Sequence, residues 1–171
     1  MSIANKAFGL LAVCVIAGCS TNADRFGDAD GAPGTGSELS SLDAAAQDPT
    51  SPVYFQQTIG DRVLFIVDQS TLTPEAQSVL AGQAQWLVSN PEYTAIIEGH
   101  ADERGTREYN LALGDRRANA VQEYLVSRGV APGRLRTVTY GKERPLEICS
   151  DEACYSQNRR AVTVIAAGLA G

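Results

Sequence analysis

The chain has 171 residues, with 20 acidic side chains against 14 basic ones, a single histidine and a formal net charge of −6. That length holds one domain with extensions. The acidic balance gives no electrostatic case for binding nucleic acid, which takes a basic face, or for anionic lipid surfaces.

Lys6 precedes an apolar run from Ala7 to Ala17, followed by Gly18 and Cys19. A positive start, a short apolar stretch and small residues before a cut site predict a secretory signal over residues 1–18. The run is too short for a bilayer span, which needs about 20 residues. Its removal takes away one charge, Lys6, so −6 becomes −7. Residues 19–52 read as a linker. Gly31, Pro33, Gly34, Gly36, Pro49 and Pro52 stand among Ser, Ala and Asp, and Arg25 alone faces the acids. Such a composition cannot bury a core and predicts disorder, with a span of roughly 30 Å.

The rest, 53–171, reads as the folded domain. Arg62 to Val67 is a short β-rich apolar run, expected as a buried strand. Thr73 caps a helix opened by Pro74, with Ala76, Val79, Leu80, Ala84, Leu87 and Val88 on its apolar face and Asn90–Pro91 as its stop. Tyr93 to Glu98 is the second strand. A helix from Arg107 to Arg128 follows, ended by Gly129. Arg136 to Tyr140 is a third strand, Asp151 to Asn158 a short helix, Arg160 to Ala166 the last strand, and the remainder a frayed tail. Strands alternating with amphipathic helices make an α/β sandwich with one sheet.

The chemistry concentrates between Glu98 and Ala120. Asp102 stands just past the second strand and Arg117 lies fifteen residues on, within the helix. An acid and a guanidinium held near one another grip a ligand that carries both an ammonium and a carboxylate, because the guanidinium fork pairs with carboxylate bidentately. The alternative is an internal Asp102–Arg117 ion pair that caps the helix. Ligands of open α/β sheets bind outside the carboxyl ends of strands, and Val67-Asp68-Gln69-Ser70 ends the first strand facing the same crevice. Gly99 and Gly105 permit tight turns and close backbone approach. His100 has no nucleophile partner, and neither HExxH nor a paired metal-ligand motif is present. It is expected to be a hydrogen-bonded structural residue, with no catalytic residues, metal or cofactor. Glu103, Arg104, Arg107 and Glu108 form a charged cluster, which by itself reads as a solvated face. Cys149 and Cys154 either pair or remain structural thiols, and an oxidising compartment favours the disulfide.

Gly99 to Thr106 (GHADERGT), the spacing of Asn110, Leu113, Arg117, Ala118, Val121 and Leu125, and the runs YGKERP (140–145) and NRRAV (158–162) resemble the OmpA-like peptidoglycan-binding domains. The resemblance covers about residues 55–167. Where that pattern usually has Ser this chain has Gly114, at a helix-propensity cost of roughly 1 kcal/mol against Ala. The resemblance implies an OmpA-like βαβαβ-type sandwich with one mixed sheet packed on helices. It implies a ligand, the meso-diaminopimelate peptide stem of peptidoglycan, with Asp102 toward its ammonium and Arg117 toward its carboxylate. Asp68, Ser70 and the Gly99 loop belong to the same site. His100, Glu103, Arg104, Thr106 and Asn110 would position it or meet a partner, TolB and other Tol-system proteins. Ile16-Ala17-Gly18-Cys19 resembles a lipobox, which implies lipidation at Cys19. An ordinary signal with an incidental cysteine is the alternative. Ser20 then implies sorting to the outer membrane, with the domain in the periplasm. The protein implied is a non-enzymatic tether of outer membrane to wall.

Overall fold

The computed structural model describes residues 43–167. The predicted signal, Cys19, the linker up to residue 42 and the last four residues lie outside them. The four strands and three longer helices are β1 (Arg62–Leu64), α1 (Pro74–Ser89), β2 (Tyr93–His100), α2 (Arg107–Ser127), β3 (Leu135–Gly141), α3 (Glu152–Asn158) and β4 (Arg160–Ala167). The strands form one sheet in the order β1-β4-β2-β3. β2 and β3 run parallel, while β4 is antiparallel to both β1 and β2. The sheet is therefore mixed, and the α/β architecture expected from the sequence is the one observed.

Caps set the helix starts. Thr73, Thr106 and Asp151 each accept a backbone N–H from three residues on, satisfying donors that the first turn leaves without partners. Gly129 ends α2 at φ +99°. Leu80, Ala84 and Leu87 of α1 join Ala118, Val121 and Leu125 of α2, Ala95 and Ile97 of β2, and Val63, Phe65 and Phe55 in one core. Full burial of each larger side chain among them contributes about 1.5–3 kcal/mol.

Three details differ from the sequence expectation. First, the strand expected at 62–67 ends at Leu64 and alternates: Val63 and Phe65 are buried, whereas Leu64, Ile66 and Val67 are exposed. β1 is an edge strand, and the carbonyls of Ile66 and Gln69 turn away to receive Arg117. Second, Val88 of α1 is exposed while Gln83 and Trp86 are buried. The Gln83 amide is satisfied by Gly60 O at 2.7 Å and by the Thr163 hydroxyl at 2.8 Å, so its burial leaves no orphan polar atom. Third, the packed unit begins upstream of residue 53. The Trp86 indole donates to Pro49 O at 2.7 Å, Ser51 caps the turn Pro52–Tyr54, and a π-helical turn, Phe55–Gly60, buries Phe55.

Gly114 is a packing residue. A Cβ there would stand 2.5 Å from Thr139 Oγ1 and 2.9 Å from Gly99 O. The helix-propensity cost is thus exchanged for close approach of α2 to β2 and β3.

Candidate ligand cleft

The carboxyl ends of β1 and β2 open into a cleft of about 230 Å³. Val67 and Asp68 form one wall, Asp102, Arg104 and Gly105 another, and Tyr109, Asn110, Leu113 and Arg117 of α2 contribute the third, with Arg159 between α3 and β4. Segments that follow two strand ends, and the middle of α2, thus bring Asp68, Asp102 and Arg117 to one place.

Arg117 is wholly buried. Its guanidinium donates to three backbone carbonyls: Nε to Gln69 O at 2.8 Å, Nη1 to His100 O at 2.8 Å and Nη2 to Ile66 O at 3.2 Å. It stacks over Phe65 at 5.1 Å. Of its five N–H donors, two remain without an acceptor among the described residues. Burial lowers its pKa to about 10, against the opposing pull of Asp102, so it stays charged at neutral pH. A buried cation whose bonded partners are neutral is an incomplete ion pair, and a desolvated charge without a counterion is costly.

Asp102 does not pair with Arg117. Its Oδ2 receives Arg104 Nη2 at 2.6 Å and Arg159 Nη1 at 3.1 Å, and its Oδ1 receives the Arg104 N–H at 3.2 Å. Burial by itself raises its carboxyl, but the hydrogen bonds from Arg104 and Arg159 outweigh that and hold the acid below the ordinary carboxylate range. The internal Asp102–Arg117 helix cap is therefore not the arrangement found, and Thr106 fills the N-cap. Asp68 sits at φ +57° and accepts the Tyr109 hydroxyl.

The other sequence-selected residues divide. Asn110 lines the cleft and donates to Arg104 O at 2.7 Å, which fixes the turn. Ser70 and Gly99 do not line it. Gly99 is pressed against the Gly114 backbone and serves packing. His100 is buried outside the cleft, and neither ring nitrogen makes a hydrogen bond. Its Nε2 lies 3.6 Å from Glu98 Oε2, and the ring packs on Tyr140. The expected hydrogen-bonded histidine is instead a neutral ring, its pKa lowered to about 4 by burial and by Arg160 and Arg144. Glu103 is half-buried: Oε1 receives the Cys149 N–H at 3.2 Å and Asn158 Nδ2 at 3.0 Å, so only Arg104, Arg107 and Glu108 of the charged cluster are exposed. Cys149 and Cys154 form a disulfide with their Cα atoms 5.4 Å apart. No group of three or more His, Cys, Asp or Glu side chains among the described residues is arranged to hold a metal ion.

Two polar side chains of the cleft, Arg159 and Tyr109, were not among the site candidates. Arg159 carried a faint signal, a basic pair opening an otherwise apolar strand. Tyr109 carried none, because its partner Asp68 lies 41 residues away.

Residues 64–159 match the OmpA family, and the chain belongs to that family. The peptidoglycan-associated lipoprotein of Mesorhizobium japonicum is 49% identical over 156 residues, 91% of this chain and 88% of its own length. That of Pseudomonas aeruginosa is 40% identical over 164 residues, covering 88% and 89%. The crystal structure of the peptidoglycan-associated lipoprotein from Burkholderia pseudomallei superposes with a TM-score of 0.63 at 40% identity, over 71% of this chain and 99% of that one. The C-terminal domain of Helicobacter pylori MotB, 17% identical with a TM-score of 0.59 over 64% and 86%, shares the fold.

Proposed function

We propose that this protein is a non-enzymatic tether between the outer membrane and the cell wall. In this reading a lipid on Cys19 holds it to the outer membrane, the linker crosses the gap, and the periplasmic domain binds the meso-diaminopimelate stem of peptidoglycan. The names of its relatives support association with peptidoglycan and a lipid-bearing, membrane-associated place in the envelope. The observation that carries the ligand assignment is Arg117: a buried guanidinium, bonded only to carbonyls, with two donors to spare at the floor of a cleft.

The end of meso-diaminopimelate carries one carboxylate and one ammonium. The carboxylate completes the Arg117 ion pair in a site shielded from water, where such a pair is stronger than at a surface. The ammonium faces the carboxylates of Asp102 and Asp68. Asp102 stays ionised at neutral pH because Arg104 and Arg159 stabilise its charged form. Ser70 and Gly99 act at most through the backbone around the cleft. A single grip of this kind gives micromolar or weaker affinity, about −8 kcal/mol or less favourable, and many copies add avidity. Non-covalent, reversible binding suits an envelope that must grow and divide.

A role in the Tol-Pal system belongs to the same reading. Arg104, Thr106, Arg107 and Glu108 lie exposed in the GHADERGT loop and first turn of α2, so TolB docking there would contend with wall binding. Unchanged muropeptide affinity on adding TolB would remove that part.

The test of the main reading is co-sedimentation of the detergent-solubilised protein with insoluble peptidoglycan containing meso-diaminopimelate, beside Asp102→Ala and Arg117→Lys, with folding checked by circular dichroism. The parent pellets and the folded variants remain in solution if the reading holds. Equal pelleting of all three overturns the assignment of these two residues.

A further inference from the structure

The cleft acid is held from outside the cleft. Asp102 Oδ2 is shared by Arg104 and Arg159, and both guanidiniums lean on α3. Glu152, the first residue of α3, receives Arg159 Nη2 on Oε1 at 2.6 Å and meets Arg104 Nη1 with Oε2 at 3.4 Å. Tyr155, one turn on, lies under the Arg104 guanidinium at 4.6 Å. A short helix of seven residues has little stability of its own, so its placement depends on what ties it down. Two ties are visible. The Cys149–Cys154 disulfide joins the preceding loop to the first turn of α3. Asn158, fully buried at the other end, donates to Glu147 O at 2.8 Å and to Glu103 Oε1 at 3.0 Å, while its Oδ1 receives the Leu146 N–H at 2.7 Å.

We propose that α3 is a positioning element for the ligand cleft, with Glu152 the positioning residue through which the disulfide-closed loop holds Arg104 and Arg159 on Asp102. The proposal rests on the cleft being the ligand site, and it assigns to the disulfide a role in affinity. Arg159 reaches Asp102 with a nearly buried guanidinium, whereas Arg104 is half exposed, so without Glu152 the latter keeps only Asp102 and the Tyr155 ring as side-chain partners. The charged groups facing Asp102 are Arg104 of its own loop, Arg159 at the end of α3, Arg117 of α2, Asp68 beyond β1 and, one remove away, Glu152.

Charge and positioning predict opposite signs. Removal of a nearby negative charge alone stabilises the carboxylate and lowers its pKa, whereas loosening the guanidinium hydrogen bonds raises it. The experiment uses the whole protein in detergent. The Asp102 carboxyl is titrated by carbon-detected NMR in the ligand-free parent, in Glu152→Gln and in a Cys149→Ser/Cys154→Ser variant that changes no charge. Affinity for a soluble muropeptide containing meso-diaminopimelate is then measured by calorimetry. In both variants Asp102 titrates at higher pH than in the parent, and affinity falls about threefold or more. An Asp102 titration that falls or stands still in Glu152→Gln overturns the proposal, as does a serine pair that leaves it unmoved. An upward shift in a protein whose parent binds no muropeptide upholds the positioning and sinks the wall reading instead.

Discussion

Gly99 on β2 and Gly114 on α2 meet backbone to backbone, with no side chain between strand and helix. A Cβ on Gly99 would overlap the Gly114 carbonyl, and one on Gly114 would fall within 3 Å of both Thr139 Oγ1 and Gly99 O. Backbone atoms cannot step aside as a side-chain tip can. Gly114→Ala gains about 1 kcal/mol of helix propensity but incurs overpacking of about 1–3 kcal/mol. Both Gly99→Ala and Gly114→Ala are therefore expected to lower the urea midpoint, Gly99→Ala the more. An unchanged midpoint for Gly99→Ala contradicts the contact.

His100 sets a pH signature. Its folded pKa is about 4 against an ordinary 6.5, so between those values the unfolded chain binds the additional proton. Stability rises with pH across that window and falls as pH drops through it. His100→Leu removes two buried ring nitrogens that have no partners and should flatten the slope. Urea unfolding at pH 4.5 and pH 7 checks this, and an equal slope in parent and variant excludes the buried neutral ring.

Arg117→Ala leaves the carbonyls of Ile66, Gln69 and His100 without their donor and opens a void beside Phe65. A loss of stability is expected, with each buried carbonyl left unsatisfied costing about 1–3 kcal/mol. Arg117→Lys keeps the charge, loses the planar fork and so retains more stability than ligand affinity. Thermal unfolding and muropeptide titration, run side by side, distinguish the two effects.

Asp68 occupies left-handed backbone, which Asn tolerates about as well. Asp68→Asn should leave the melting temperature within a degree or two, since surface changes of this kind fall within about 0.5 kcal/mol, while weakening muropeptide binding by removing an acid from the cleft. Asp68→Val should lower stability by about 1–2 kcal/mol through backbone strain. A neutral Asp68→Val result would show that the loop relaxes freely.

The fold was legible where a single element decides its own fate. Cap, Pro and Gly signals placed α1 and α2 within a residue of their ends, and β-rich runs located all four strands. Legibility failed where a remote partner decides. Gln83 is buried because Gly60 and Thr163, far apart in sequence, satisfy its amide. Beyond the end of β1 the Ile66 carbonyl is taken by Arg117 rather than by a neighbouring strand. In the cleft, Asp68, Asp102 and Arg117 could be selected from strand ends and motif. Asp102 pairs with Arg104 of its own loop, but its second partner, Arg159, is brought by the end of α3 from 57 residues away, and no local pattern encodes that.

The hydrogen bond from Trp86 to Pro49 O has a mechanical consequence. In a tethered domain, tension arriving along the chain from the N-terminal side reaches this bond and the Ser51 cap before it reaches β1. The turn Pro52–Tyr54 would give way first, lengthening the tether under strain, ahead of the segment anchored by buried Phe55 and by the Gln83–Gly60 hydrogen bond. The sheet, with β4 between β1 and β2, and the cleft at its strand ends would be spared until that slack is spent.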